Sequence, residues 1–176
     1  MEIKLKKAGT IAELEQIREL YLTNFPTNER RSFEGLQQQF LREDACSILQ
    51  ITNMKSILGF CTLWEFEIFA FIEHLAILPE MRGKKIGEAV LYLLKNGRKT
   101  PLILETELPN DEICSRRISF YQRNGFHLLN QHYIQPSYDG ITPGPELKLM
   151  ISHPHISHED LQQYIEVVKR KVYRQK

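Results

Sequence analysis

At 176 residues and a net charge of +1, the chain suffices for one domain with its own core. So even a charge balance argues against a phosphate-backbone binder, and nucleic acid is not an expected partner. Cys46, Cys61 and Cys114 are odd in number and lack metal-ligand spacing, which fits reduced thiols in a cytoplasmic protein rather than a disulfide framework.

The N-terminal residues Met1 to Lys6 alternate charged and apolar side chains and contain no hydrophobic segment of signal length. No run approaches the roughly 20 apolar residues of a membrane span, so no membrane partner is expected. Glu2 to Lys6 reads as a first strand. Thr10 to Thr23 carries Ile11, Leu14, Ile17, Leu20 and Tyr21 at helical spacing, with Thr10 and Glu13 as a capping box. Phe25-Pro26-Thr27-Asn28 breaks that helix, and Ser32 to Leu41 forms the next. Ser47 to Thr52 and Ile57 to Glu65 predict a hairpin across Asn53-Met54-Lys55. Phe66 to Leu78 predicts another strand and Gly87 to Asn96 a helix. Leu102 to Leu108 then reads as a strand, and Asp111 to Asn124 as a helix ended by Gly125. Strands near Phe126 to Ile134 and Glu146 to Ile151 close the core. This alternation predicts a mixed sheet with helices on both faces. Ser157 and Asp160 open a last amphipathic helix, with Leu161, Tyr164, Ile165, Val168 and Val172 on one stripe. The expected organisation is a domain over 1–151, with a linker and helix over 152–176 packed on it. His153 to His158 reads as a surface linker, and no metal site is expected.

The stretch His74 to Leu91 is the most informative. An apolar run feeds a turn containing Pro79, Gly83 and Gly87, flanked by Arg82, Lys84 and Lys85, and then a helix. A helix start exposes unpaired N–H groups whose dipole favours anions, and glycine lets a ligand approach the backbone closely. Three cations beside such amides point to a pyrophosphate; a solvated turn is the alternative. The P-loop and G-x-G-x-x-G patterns are both absent.

Arg82-Gly83-Lys84-Lys85-Ile86-Gly87 resembles the Q/R-x-x-G-x-G/A signature of the GNAT acyltransferase superfamily, which binds acetyl-CoA through its pyrophosphate. Ser119-Phe120-Tyr121-Gln122-Arg123-Asn124-Gly125-Phe126 resembles that family's F-Y-x-x-x-G-F element. The likeness covers roughly residues 3–151. It implies an α/β (α+β) fold with a mostly antiparallel seven-stranded sheet, splayed between the fourth and fifth strands. It also implies acetyl-CoA as co-substrate, with Leu75, Ala76, Ile77, Arg82, Gly83, Lys84, Lys85, Ile86, Gly87, Glu88, Cys114 and Phe120 as the residues expected to contact it. Lys85 stands where the family usually has glycine. Cys114 stands where it often has an asparagine, whose donor–acceptor pair a thiol cannot replace.

The chemistry so implied is attack of an amine on a thioester. A lysine-like amine has a pKa near 10.4, so about one in 2,500 is neutral at pH 7, a penalty of about 4.6 kcal/mol. A general base recovers about 10²–10⁴-fold, and in-line positioning roughly 7–11 kcal/mol. Glu73, interrupting an apolar strand just before the cradle, is the candidate base; a solvent-facing or structural carboxylate is the alternative. Strand alternation sends His74 to the opposite face. Tyr121 is the candidate acid for the coenzyme thiolate, the alternative being an aromatic packed with Phe120 and Phe126. Glu29 and Tyr138 are candidates for holding the acceptor. The expected function is transfer of an acetyl group to a primary amine of a small molecule or peptide, by a monomer or homodimer. A non-catalytic acyl-CoA-binding sensor is the alternative.

Overall fold

In a computed structural model, the structure describes residues 2–174. An eight-stranded sheet forms its spine. Strands β1 (Lys4–Lys7), β2 (Cys46–Thr52), β3 (Ile57–Glu65) and β4 (Ala70–Ile77) pair antiparallel in that order. β5 (Leu102–Glu107) joins β4 in parallel, and β8 (Glu146–Ile151) pairs antiparallel to β5. The segment expected as one long strand after Phe126 is two short ones, β6 (His127–Leu128) and β7 (Tyr133–Ile134). Both lie along β8, which accounts for eight strands rather than seven.

Two apolar clusters occupy the two faces. One holds residues of α1 (Ile11–Glu15), α2 (Arg18–Asn24), α3 (Phe33–Arg42) and α6 (His158–Lys171), including Leu14, Tyr21, Phe33, Leu161 and Val168. The other holds residues of α4 (Ile86–Lys95) and α5 (Glu112–Arg123), including Val90, Leu91, Ile118 and Tyr121. The predicted helix over Thr10–Thr23 is broken: Ile17, with φ −103° and ψ 2°, caps a fresh start at Arg18. The Thr10 hydroxyl accepts from the Glu13 N–H as a capping box requires. The Glu13 carboxylate, however, takes the Gly9 N–H and Lys6 instead of closing the box. Strand β4 starts at Ala70 rather than Phe66, because Phe66 turns back to bond the Phe69 carbonyl.

Two irregularities in β4 create the site. Its pairing with β5 covers Ala70–Ile72 against Leu102–Leu104 and then stops, although β4 runs on to Ile77 and β5 to Glu107. The sheet therefore forks. At the same point the pairing with β3 steps from Ile72–Leu63 to His74–Thr62, so Glu73 is an inserted bulge residue. The bulge resets the alternation of side chains. Glu73 and His74 both face the cluster built from α1, α2, α3 and α6, where strict alternation would have separated them.

Candidate functional site

A cleft of about 1020 Å³ opens in the fork. It runs from the turn before α4, past β4 residues 72–77 and β5 residues 104–107, to Glu29 and Gln135. Beyond Ile72, β4 has lost its β5 partner, so its edge offers peptide groups to whatever lies in the cleft.

The turn before α4 has the geometry of an anion cradle. Gly83 and Lys85 are both left-handed, at φ +75° and +59°, and Lys85 is the N-cap of α4. Among the described residues, the N–H groups of Gly83 through Glu88 find no protein acceptor. Alternating handedness turns such amides toward one concavity, and the helix start adds its dipole. Arg82 fixes the turn: its guanidinium donates to the Ile77 carbonyl at 3.2 Å and to Asn24 Oδ1 at 2.5 Å, tying the cradle to β4 and α2. Arg82, Gly83, Lys85, Ile86, Gly87 and Glu88 line the cleft, as do Leu75, Ala76, Ile77 and Phe120.

Two of the expected cofactor residues lie elsewhere. The Lys84 ammonium turns to the Met81 sulfur at 3.5 Å, and Lys84 is not among the residues that line the cleft. Cys114 sits in the first turn of α5, its N–H capped by Asp111, outside the residues that line the cleft. The family position often held by asparagine is thus away from the opening in this chain.

Phe120 and Tyr121 join α5 to the cradle. A Cβ on Gly87 would stand 2.9 Å from the Phe120 Cζ, so the ring presses directly on the start of α4. Tyr121 packs edge-on to Phe120 and Phe126, with centroids at 5.3 and 5.8 Å. It lines the cleft, and its hydroxyl has no protein partner among the described residues. Burial pushes its pKa up to about 12, with Arg117 opposing, so the hydroxyl stays protonated at neutral pH.

Glu73 is in place at the fork but is fully engaged. Arg31 donates to Oε1, the Trp64 indole N–H to Oε2 at 2.7 Å, the Tyr138 hydroxyl to Oε1 at 3.1 Å and Gln39 to Oε2 at 3.3 Å. Arg31 also donates to the Val172 carbonyl and lies over the Tyr138 ring at 4.7 Å. Burial works to raise the Glu73 pKa, but Arg31, His74 and the Trp64 bond outweigh it and hold the carboxyl below its ordinary range. A carboxylate so stabilised is a weak base. Tyr138 bonds Glu73 and stacks near His74 at 6.3 Å; it belongs to the support behind Glu73, not to the lining of the cleft.

His74 is buried among Tyr21, Phe25 and Tyr138, with Nε2 at 3.2 Å from the Glu29 carbonyl. Burial lowers its pKa, and Arg31 and Arg30 add to that effect. Glu29 lines the cleft; partial burial and then Glu107 raise its pKa, against Arg117.

Sequence reasoning missed Glu105. It is the first residue of β5 beyond the last β4–β5 pair, the counterpart of Glu73 across the fork. Three neutral donors hold it: the Tyr133 hydroxyl on Oε1, and Gln135 Nε2 and the Tyr173 hydroxyl on Oε2 at 2.8 and 2.6 Å. No cation pairs with it among the described residues. Burial pushes its pKa up to about 7, the three hydrogen bonds opposing and Glu73 adding to the rise. A signal was available: in Leu102-Ile103-Leu104-Glu105, a carboxylate interrupts an apolar strand just as Glu73 does.

Residues 43–128 match the sequence profile of the acetyltransferase (GNAT) domain. That stretch of the chain, just under half of it, is a GNAT acetyltransferase domain match. Over 105 residues it is 31% identical to "Putative acetyltransferase YjbC" of Bacillus subtilis (strain 168), covering 58% of this chain. The match spans about half of that relative's length, 52%. A solved structure described as a "Putative acetyltransferase from GNAT family" from Bacteroides thetaiotaomicron is similar over all of both chains, with a TM-score of 0.90 and 29% identity. The ribosomal-protein-S18-alanine N-acetyltransferase of Escherichia coli shares the fold at a TM-score of 0.62 and 17% identity, over 90% of this chain and 98% of that one. The forked mixed sheet and the two-sided helices are the GNAT architecture. Among the described residues no helix is long and apolar enough to cross a membrane, and no cluster of side chains could hold a metal ion.

Proposed function

We propose that this GNAT domain transfers an acetyl group from acetyl-CoA to a primary amine of a small molecule or peptide, in a ternary complex. The observation that carries this reading is the shared cleft: one opening joins the free amides of the α4 cradle, the unpaired edge of β4 and the lone hydroxyl of Tyr121.

The amides of Gly83 and of Lys85 through Glu88, with the Lys85 side chain, would hold the pyrophosphate, and the β4 edge from Leu75 to Ile77 would pair with the peptide-like pantetheine arm. A thioester bound there presents its carbonyl carbon near the fork. Glu29 and Phe25, which also line the cleft, would receive the acceptor. Tyr121 faces a leaving thiolate whose thiol has a pKa of about 8.5, against about 12 for the phenol. Outright proton transfer to it would be uphill by roughly 4.8 kcal/mol at about 1.36 kcal/mol per unit. Tyr121 therefore stabilises the thiolate as a hydrogen-bond donor and does not surrender its proton.

Calorimetry with acetyl-CoA, combined with a thiol-release assay over a panel of amines, tests the reading. Binding together with amine-dependent release of thiol is the expected result. Binding without release on any amine points to the acyl-CoA sensor, and no binding removes both.

A further inference from the structure

We propose that Glu105, rather than Glu73, is the general base that takes the proton from the acceptor amine. This rests on the transferase reading above and assigns a role within the same cleft.

The two carboxylates hold matching positions at the fork, one on each parting strand, and differ in their partners. Glu73 has a guanidinium, so a proton arriving there would break a buried ion pair. Glu105 has three neutral donors and no cation, so protonation removes a buried charge instead of stranding one. The groups facing it are Tyr133 from β7, Gln135 just after β7, Tyr173 beyond α6, and Glu73 and Tyr138 across the fork. None of them is cationic. Arg31, the guanidinium on Glu73, is committed to Glu73, Val172 and Tyr138. Proton affinity follows the same division: burial pushes Glu105 up to about 7, whereas Arg31 and its neighbours hold Glu73 below its ordinary range. Bases poised near the working pH are the efficient ones.

His74 is the other basic atom in reach. Its Nδ1 is enclosed and without a partner, and charging the ring would set a cation against Arg31 and Arg30. Gln135 points to the same place as Glu105. It is 5% exposed, lines the cleft and gives Nε2 to Glu105, while its Oε1 has no partner. That oxygen is an acceptor for a second N–H of the incoming amine.

In the reaction, the ammonium first yields one proton to Glu105, directly or through one water. The freed lone pair forms the N–C bond to the thioester carbon. As the tetrahedral adduct collapses, the C–S bond breaks and its electron pair leaves on the thiolate, held by the Tyr121 hydroxyl. The adduct nitrogen gives up its second proton to the solvent, and Glu105 passes its own to the thiolate. The products are the N-acetyl amine, the free coenzyme thiol and one released proton.

Glu105→Gln tests this in the full-length protein. The expected kcat is lower by about 100-fold or more, acetyl-CoA affinity stays within about threefold, and the rise in kcat/KM near pH 7 disappears. Retention of turnover within about fivefold, with that limb still present, overturns the assignment. Should the amide variant fold poorly, Glu105→Asp and a carbon-13 titration of the wild-type glutamate carboxyls decide it. One carboxyl titrating near pH 7 and altered by Glu105→Asp is expected, and none titrating above about pH 6 overturns the proposal. An enzyme that releases no thiol with any amine ends the transferase reading as a whole; an active enzyme indifferent to Glu105→Gln ends this proposal alone.

Discussion

Replacing Arg31 with methionine keeps an unbranched apolar stem, shorter by the end of the guanidinium, and removes the charge that Glu73 relies on. Glu73 has no exposed side-chain surface, so its carboxylate cannot turn to solvent. Breaking a buried pair from one side typically costs about 3–5 kcal/mol. The carboxyl can limit this by taking a proton. From an ordinary value of 4.5, that costs about 3.4 kcal/mol at pH 7 but about 0.7 at pH 5, at roughly 1.36 kcal/mol per unit. The sign follows from linkage. In the wild type the Glu73 pKa is depressed, so its contribution is present above 4.5 and is lost as pH falls through the lower folded value. In the variant, burial (the largest influence on Glu73) is opposed by His74 and the Trp64 bond but no longer by a guanidinium, and the pKa is expected to rise, so stability is lost as pH rises above 4.5. The destabilisation by Arg31→Met should therefore shrink by up to about 2.7 kcal/mol between pH 7 and pH 5. Glu105 also makes the protein less stable as pH rises toward 7, since its folded pKa is raised; it does so less in the variant, where a protonated Glu73 no longer adds to that rise. Urea unfolding followed by Trp64, the single tryptophan and a direct partner of Glu73, measures both curves. A loss below about 1 kcal/mol at pH 7, or one that is flat with pH to within about 0.5 kcal/mol, would refute the view of Glu73 as a charge held in place by Arg31.

Tyr121→Phe should lower kcat by about 10–100-fold with little change in acetyl-CoA affinity, because it removes a donor to the leaving group and no apolar contact. Steady-state kinetics with calorimetry reads both, and equal losses would count against the role. Gly87→Ala forces a methyl into the Phe120 ring, with 2.9 Å available, and should weaken acetyl-CoA binding several-fold by moving the first turn of α4. Unchanged affinity in calorimetry would show that the ring yields freely. Lys85→Gly relieves a left-handed residue, worth about 1 kcal/mol, while deleting a cation from the cradle. Urea midpoints should hold or rise as acetyl-CoA affinity falls about fivefold; a lower midpoint would mean that the lysine side chain contributes to the fold.

Glu73, His74 and Glu105 show how far the sequence could be read. The cradle was legible because its evidence is local: the glycines, the cations and the helix start lie within a dozen residues, and unpaired amides at a helix start follow from the backbone alone. The phase of β4 was not, since a period of two carries no mark where one residue is inserted, and the bulge at Glu73 brings His74 round to the same face. The choice between the two glutamates was less accessible still. Each interrupts an apolar strand, and apart from Trp64, nine residues before Glu73, their hydrogen-bond partners lie far along the chain. What separates them comes from far along the chain: Arg31 reaches Glu73 from the loop before α3, and Tyr173 reaches Glu105 from the end of α6. The last helix, read from its stripe as a pack of apolar residues, thus also delivers the Val172 carbonyl to Arg31 and the Tyr173 hydroxyl to Glu105. Because Tyr173 approaches Glu73 and Tyr138 as well as Glu105, the two carboxylates share one buried network. A proton on Glu105 alters the field at Glu73, so the charge states of the fork are set jointly by both ends of the chain.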